Sequence, residues 1–309
     1  MELKLDESKI RKGKPVGLPY VGSKKKISKK IVEIIKQNFG TEKTVYDLFG
    51  GGGAVTFECL INGLDVVYND IDPLVGEAIQ LVLNEDRDFI KEIIISRDEF
   101  YAVKLKENKT AEDKLKLLSN SFGNNEIDYL YSKKYSDLKY VLAREIVEKH
   151  DCFNRYKQTS TFKEAKDNIT QLQQLQMAQQ LERLQQLERS EVISRVQSLD
   201  IKNDFEFNSK DYRDFSNVVD SVIYLDPVYN DITRKRYGVD NFDYDSFYEW
   251  CIEMSKDNIV LVSEYSMPKE FECVFEFTKA RPTIQQGGKH KKYEKLFMVQ
   301  NNLDRILHE

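Results

Sequence analysis

The sequence predicts an α/β protein, with a mixed but mostly parallel sheet interrupted in the chain by a mainly helical insertion. Three observations carry this prediction. Residues 44–83 run strand, glycine turn, helix, strand, helix; residues 221–263 return to the same rhythm; residues 85–205 lose it. Strands that alternate with helices need crossover connections, and these favour parallel pairing.

Taken in order, Thr44 to Leu48 reads as a short strand and Phe49 to Gly53 as a glycine turn. Ala54 to Asn62 has apolar residues at helical spacing (Val55, Cys59, Leu60), and Gly63 suits the left-handed residue that ends a helix. Asp65 to Tyr68 is a second strand. Asp72 can cap the next helix, which Pro73 opens at a tolerated position. In the middle region, leucines at 172, 175, 181, 184 and 187 predict one helix with a single apolar stripe over Gln171 to Leu187. Ser221 to Leu225 is a buried strand ending at Asp226-Pro227, followed by a helix around Ser246 to Met254 and a strand from Ile259 to Ser263. Glu272 to Phe277 and Leu296 to Val299 read as a terminal hairpin pair. Arg281 to Lys292, with Pro282, Gly287 and Gly288, reads as a loop. The division that follows is 1–84 with 206–309 as one split domain, and 85–205 as the insertion.

Composition narrows the function. The 309 residues are 40% hydrophobic, enough to fill a core. No run of eighteen apolar residues would span a membrane, and Met1 to Lys14 lacks the apolar stretch of a signal peptide. The four cysteines form no C-x-x-C pair, and with three histidines they argue against a metal site and for a reduced, cytoplasmic protein. Net charge is −5, but residues 1–30 hold ten Lys/Arg against three acids, and Lys289, Lys291, Lys292 and Lys295 form a second basic cluster. Two basic clusters on an acidic chain hint at a polyanionic partner.

Three segments carry chemistry. The turn Asp47-Leu48-Phe49-Gly50-Gly51-Gly52-Gly53 follows a strand, where glycines let a ligand approach the backbone. It is neither a G-x-x-x-x-G-K-[ST] loop nor a G-x-G-x-x-G loop. The second strand ends at Asn69-Asp70, where α/β folds place the acid that binds a ribose diol. Asp226-Pro227-Val228-Tyr229 follows a buried strand and offers a carboxylate, a carbonyl and an aromatic face at the strand end where such enzymes work.

In this order the segments resemble the Dam-type (D12 class) DNA adenine-N6 methyltransferases. Pro19-Tyr20-Val21-Gly22-Ser23-Lys24 is similar to the family's N-terminal aromatic-x-Gly-[GS]-Lys motif. Asp47-x-Phe49-x-Gly51-x-Gly53 matches D-x-F-x-G-x-G, and Asp226 to Tyr229 falls on D-P-P-Y. Ser121 to Asn125 with Tyr129-Leu130-Tyr131 resembles the inserted region, and Glu294-Lys295-Leu296-Phe297 the last strand.

The resemblance implies a Rossmann-like methyltransferase core and S-adenosyl-L-methionine as cofactor. Tyr20, Lys24, Asp47, Phe49, Gly51, Gly53, Asp70 and Asp226 would hold that cofactor, Lys24 facing its carboxylate; Asp211 would take its adenine amine or be an ordinary turn aspartate. Asp226, Pro227 and Tyr229 would be catalytic on a flipped-out adenine. Double-stranded DNA would be the partner, met by Lys25, Asn124, Asn125, Lys133 and Lys289, with the insertion reading its sequence. A separately encoded restriction endonuclease and a bacterial or phage-infected host fit this class. Val228 departs from the family by replacing a proline, which leaves open a catalytically weak or inactive DNA-binding homologue; a cytosine-N4 enzyme is a further alternative, against which Asp226 argues.

Overall fold

The computed structural model describes residues 2–171, 179–201, 206–227, 242–277, 293–300 and 302. They divide into two compact units: Met1–Gly17, Gly22–Gly76 and Asp200–Glu309 make the first, Leu18–Val21 and Glu77–Leu199 the second.

The first unit is built on a seven-stranded sheet. Its strands are β1 (Val45–Asp47), β2 (Val66–Asn69), β3 (Glu206–Asn208), β4 (Val222–Leu225), β5 (Ile259–Glu264), β6 (Phe271–Glu276) and β7 (Lys295–Val299), in the spatial order 3-2-1-4-5-7-6. Strands β1 to β5 are parallel, while β7 runs antiparallel to both β5 and β6. The predicted strands and the terminal hairpin pair are all present, and the sheet is mixed and mostly parallel as expected. The central strands are apolar without alternation because both faces are covered: every residue of β2, β4 and β5 is buried. The outer strand β6 is less buried: Phe271 and Val274 are buried and the other four residues are not, with a register shift between Cys273 and Phe275.

Alternate residues sort into two cores. Val45, Val222, Tyr224, Leu261 and Leu296 pack with α1 (Ser28–Phe39) and α2 (Ala54–Ile61) on one face. Ile223, Leu225, Val260, Val262 and Phe297 pack with the helix Tyr244–Met254 on the other. Helix α2 ends as the sequence predicts. Gly63 has φ 77, its N–H donates to the Leu60 carbonyl at 3.0 Å, and the Leu64 N–H donates to Cys59 at 3.1 Å. Asp72 caps α3 (Pro73–Asn84) by accepting the Leu74 N–H at 3.0 Å.

The second unit is helical: α4 (Phe89–Glu92), α5 (Arg97–Lys104), α6 (Ala111–Asn120), α7 (Ser136–His150), α8 (Ser160–Gln171) and α9 (Gln185–Gln197). One expectation needs correction here. Residues 172–178 lie outside the described residues, and the single striped helix over Gln171–Leu187 does not run through its C-terminal part. It breaks before α9 because the Tyr156 hydroxyl donates to the Glu182 carbonyl at 2.9 Å and accepts the Leu184 N–H at 2.9 Å. Leu184 takes φ −98, ψ 85 to meet it. Leu181, Leu184 and Leu187 are nonetheless all buried. The predicted loop Arg281–Lys292 lies outside the described residues.

A buried charge in α2 makes the first unit testable. Glu58 is 1% exposed and is held by Arg11 through two bonds, from Nε at 2.8 Å and Nη2 at 2.9 Å. Removing Arg11 strands a carboxylate inside the fold. We expect Arg11→Ala to lower unfolding free energy by ~3 kcal/mol in urea denaturation, with Glu58→Gln closer to wild type. A loss below ~1 kcal/mol, the range of surface pairs, would mean that water reaches Glu58 without Arg11.

Candidate active site

In an open α/β sheet, ligands bind outside the carboxyl ends of the strands where the strand order reverses. Here the chain runs from β1 outward to β2 and β3, then returns to the other side of β1 as β4. The reversal therefore lies between β1 and β4. Asp47 and Tyr224 are register partners across it, and Asp226 follows β4 directly.

The glycine turn fills the β1 side. Gly51 has φ 48 and Gly53 φ 72, left-handed values that a side chain disfavours, which accounts for glycine at these two places. Asp47 latches the turn shut. Its Oδ2 accepts the Thr56 hydroxyl at 2.6 Å and the Thr56 N–H at 3.1 Å, tying the end of β1 to the first turn of α2. Burial pushes the Asp47 carboxyl up to about 7; the Thr56 bonds oppose this, and the charges of Asp226 and Asp70 add to it. Thr56 was not singled out from the sequence, although its place nine residues after Asp47, in the first turn of a helix, fits it to donate both bonds.

Asp70, at the end of β2, is buried. One carboxylate oxygen accepts the Gly51 N–H at 2.8 Å and the other the Asp72 N–H at 3.0 Å. Phe49 packs against Tyr212, Phe242 and Phe247 with ring centroids 5.8, 6.0 and 5.9 Å away, so it belongs to an aromatic wall beneath the turn. Asp211 is engaged locally. It accepts the Arg213 N–H at 2.9 Å and grips the Arg213 guanidinium at 2.7 and 2.8 Å.

On the β4 side, Asp226 is paired with Lys24. The ammonium donates to both carboxylate oxygens, at 2.6 and 2.7 Å, and lies 3.5 Å from Glu294. The side chains are 5% exposed for Lys24, 17% for Asp226 and 11% for Glu294, so the cluster is largely removed from water. The expectation from the sequence gave Lys24 a cofactor carboxylate; in this structure the charges facing it are Asp226 and Glu294. A buried ammonium is costly without such partners. Glu294 was legible only as part of the last-strand motif, not as a partner of Lys24. Pro227 is buried beside Asp226. Val228, Tyr229 and Lys289 lie outside the described residues.

Tyr20 lies in the second unit, where its carbonyl accepts the Asn124 amide at 3.3 Å. Asn125 turns inward on its own loop, its Oδ1 accepting the Ile127 N–H at 3.0 Å. Lys25 is half-buried and Lys133 exposed. Among the described residues no group of His, Cys, Asp and Glu is arranged to hold a metal ion.

Comparison with known proteins places this geometry. No curated protein matches the chain. A solved structure from Haemophilus influenzae, of a protein described as a putative methylase, aligns over 88% of this chain and 88% of its own at 9% identity, with a TM-score of 0.31. That likeness is too slight to argue from. The model of the D12 class N6 adenine-specific DNA methyltransferases matches residues 20–249, a span that takes in the glycine turn, Asp70 and Asp226. The chain belongs to this family and is an adenine-specific DNA methyltransferase.

Proposed function

We propose that the enzyme takes its methyl group from S-adenosyl-L-methionine and delivers it to the N6 amine of an adenine flipped out of duplex DNA, with Asp226 orienting that amine. The observation that carries this reading is the position of Asp226: it follows β4 at the strand-order reversal, opposite the glycine turn on β1. The residues present suit the cofactor. A glycine turn leads into α2, and a buried carboxylate, Asp70, lies at the end of β2 where a ribose diol would bind. Gly51, Gly53 and Asp70 would hold the nucleoside part, with Asp47 keeping the turn closed and Phe49 backing it.

When bound, S-adenosyl-L-methionine supplies an electrophilic methyl group on a sulfonium. The work of the chain is to prepare the amine. Its lone pair is delocalised into the adenine ring, so it is a poor nucleophile. Asp226 and the Pro227 carbonyl accept its two N–H bonds and draw nitrogen toward a tetrahedral shape. Lys24 favours the ionised form of Asp226. Each carboxylate oxygen has two lone pairs, so Asp226 can keep Lys24 and still accept from the amine. The residues act by position and fixed charge, and no histidine is needed.

Flipping the base costs a few kcal/mol, and stacking on Tyr229 would return ~1–3 kcal/mol. We assign DNA reading to residues 85–205, with Asn124, Asn125 and Lys133 as contacts and Lys25 and Lys289 on phosphates. No helix among the described residues is long and apolar enough to cross a membrane. The setting we propose is the cytoplasm of a bacterial or phage-infected cell, where a restriction endonuclease could be the companion enzyme.

Two outcomes test this reading. Asp226→Ala removes an acceptor that matters most in the transition state, so single-turnover methylation should slow by ~100- to 1,000-fold while donor affinity changes far less. Nucleoside analysis of the product identifies N6-methyladenine, and an undiminished rate would place the active site elsewhere. Duplex binding should weaken steeply with salt, and Lys25→Ala and Lys289→Ala should each flatten the log–log slope by about 0.9. A slope that neither substitution alters would make both lysines ordinary solvated surface.

A further inference from the structure

We propose that Tyr68 is a positioning residue for the cofactor: its ring and hydroxyl hold the glycine turn in the shape that receives S-adenosyl-L-methionine. The inference rests on the reading above that this turn is the donor's site.

Tyr68 lies one residue before the end of β2 and is fully buried. Its hydroxyl donates to the Gly51 carbonyl at 2.8 Å. Its ring fills the space beside Gly50, where an added Cβ would come within 2.4 and 2.5 Å of two ring carbons. Gly50 is not among the glycines with positive φ. Its backbone therefore does not demand glycine, and the Tyr68 ring does. Gly50 and Tyr68 are a matched pair, unlike Gly51 and Gly53, whose conformation alone favours glycine. The Phe207 ring, 5.4 Å away on β3, keeps the Tyr68 ring in place.

The next two residues complete a bracket around the turn. The Asn69 carbonyl accepts the Gly50 N–H at 2.9 Å, and the Asn69 amide donates to the Leu48 carbonyl at 3.0 Å. Asp70 takes the Gly51 N–H at 2.8 Å. Gly51 is thus held at its N–H by Asp70 and at its carbonyl by Tyr68. A trans peptide is planar, with carbonyl and N–H pointing opposite ways. Drawing the Gly51 carbonyl onto Tyr68 therefore turns the Gly52 N–H to the other side. Glycine peptides reorient easily, and a turn of backbone N–H groups binds ligands only while those groups converge. Preorganisation of this kind appears as affinity.

The test compares Tyr68→Phe, Gly50→Ala and the pair Gly50→Ala/Tyr68→Leu with wild type. Calorimetry gives Kd for S-adenosyl-L-methionine, single-turnover assays give the rate at saturating donor, and thermal melts report folding. Losing the hydroxyl bond should raise Kd about three- to tenfold in Tyr68→Phe and leave the saturated rate unchanged. Gly50→Ala should raise Kd further, and the pair should bind more tightly than Gly50→Ala alone, because the ring is what the new methyl group meets. A role in folding alone would lower the melting temperature without this selective loss of affinity. Equal Kd for Tyr68→Phe and wild type would overturn the inference, as would a pair no better than Gly50→Ala. A wild-type protein that does not bind the donor at all would instead overturn the proposed cofactor.

Discussion

Lys24 joins parts of the first unit that are far apart in the chain. Its ammonium sits on Asp226, 202 residues later, with Glu294 close by. With so little exposure, none of these charges can rely on water. Each needs the others, and breaking such a cluster costs more than forming it contributes, because the survivor is left buried and unpaired. Much of the surrounding architecture serves this constraint. The turn after Ser23 brings Lys24 in, and β4 ends at Asp226. The antiparallel direction of β7 also follows: Glu264 at the end of β5 is registered with Lys295 at the start of β7. Glu294 therefore enters the sheet at the edge where the parallel strands finish. A parallel β7 would have placed it at the opposite edge.

Across the strand-order reversal, the β1 side meets a different problem. A turn of four glycines has large conformational freedom, and ordering it costs entropy. The structure holds it with bonds from outside the turn. Asp47 ties its entry to Thr56, and Asp70 takes the Gly51 N–H. Burial, with the charges of Asp226 and Asp70 adding to it, pushes the Asp47 carboxyl up to about 7. The backbone turn on β1 and the carboxylate of Asp226 after β4 thus face one another across the strand-order reversal.

The second unit achieves definition by a buried polar network. The Gln186 amide donates to the Ile95 carbonyl at 2.8 Å and to the Asn120 side chain at 2.8 Å. Arg189 closes the C-terminal end of α6, donating to the Ser119 and Ser121 carbonyls at 2.7 and 2.8 Å, and burial draws its guanidinium down to about 10. Helix ends leave carbonyls without intrahelical partners, and a cation there satisfies them and complements the helix dipole. The loop from Ser121 to Asn125 begins where this arginine holds the chain.

The sequence by itself determined the features that depend on near neighbours. Apolar runs such as Val222–Leu225 and Ile259–Glu264 report strands buried on both faces, and Gly63 and Asp72 report helix ends. Each is a property of one short segment, set by sterics and local hydrogen bonding. Only the tertiary structure decided the partner of Lys24, the latch of Thr56 on Asp47, and the helix break at Leu184. The leucine spacing predicted an uninterrupted helix because periodicity cannot register the hydroxyl of Tyr156, 28 residues earlier in the chain. A lysine in a motif shows its charge but not which of the protein's own carboxylates face it, so Asp226 and Glu294 could not be paired with Lys24 in advance. Bonds between distant segments leave no pattern along the chain, since what selects them is the closure of the fold and the need of each buried charge or polar group for a partner.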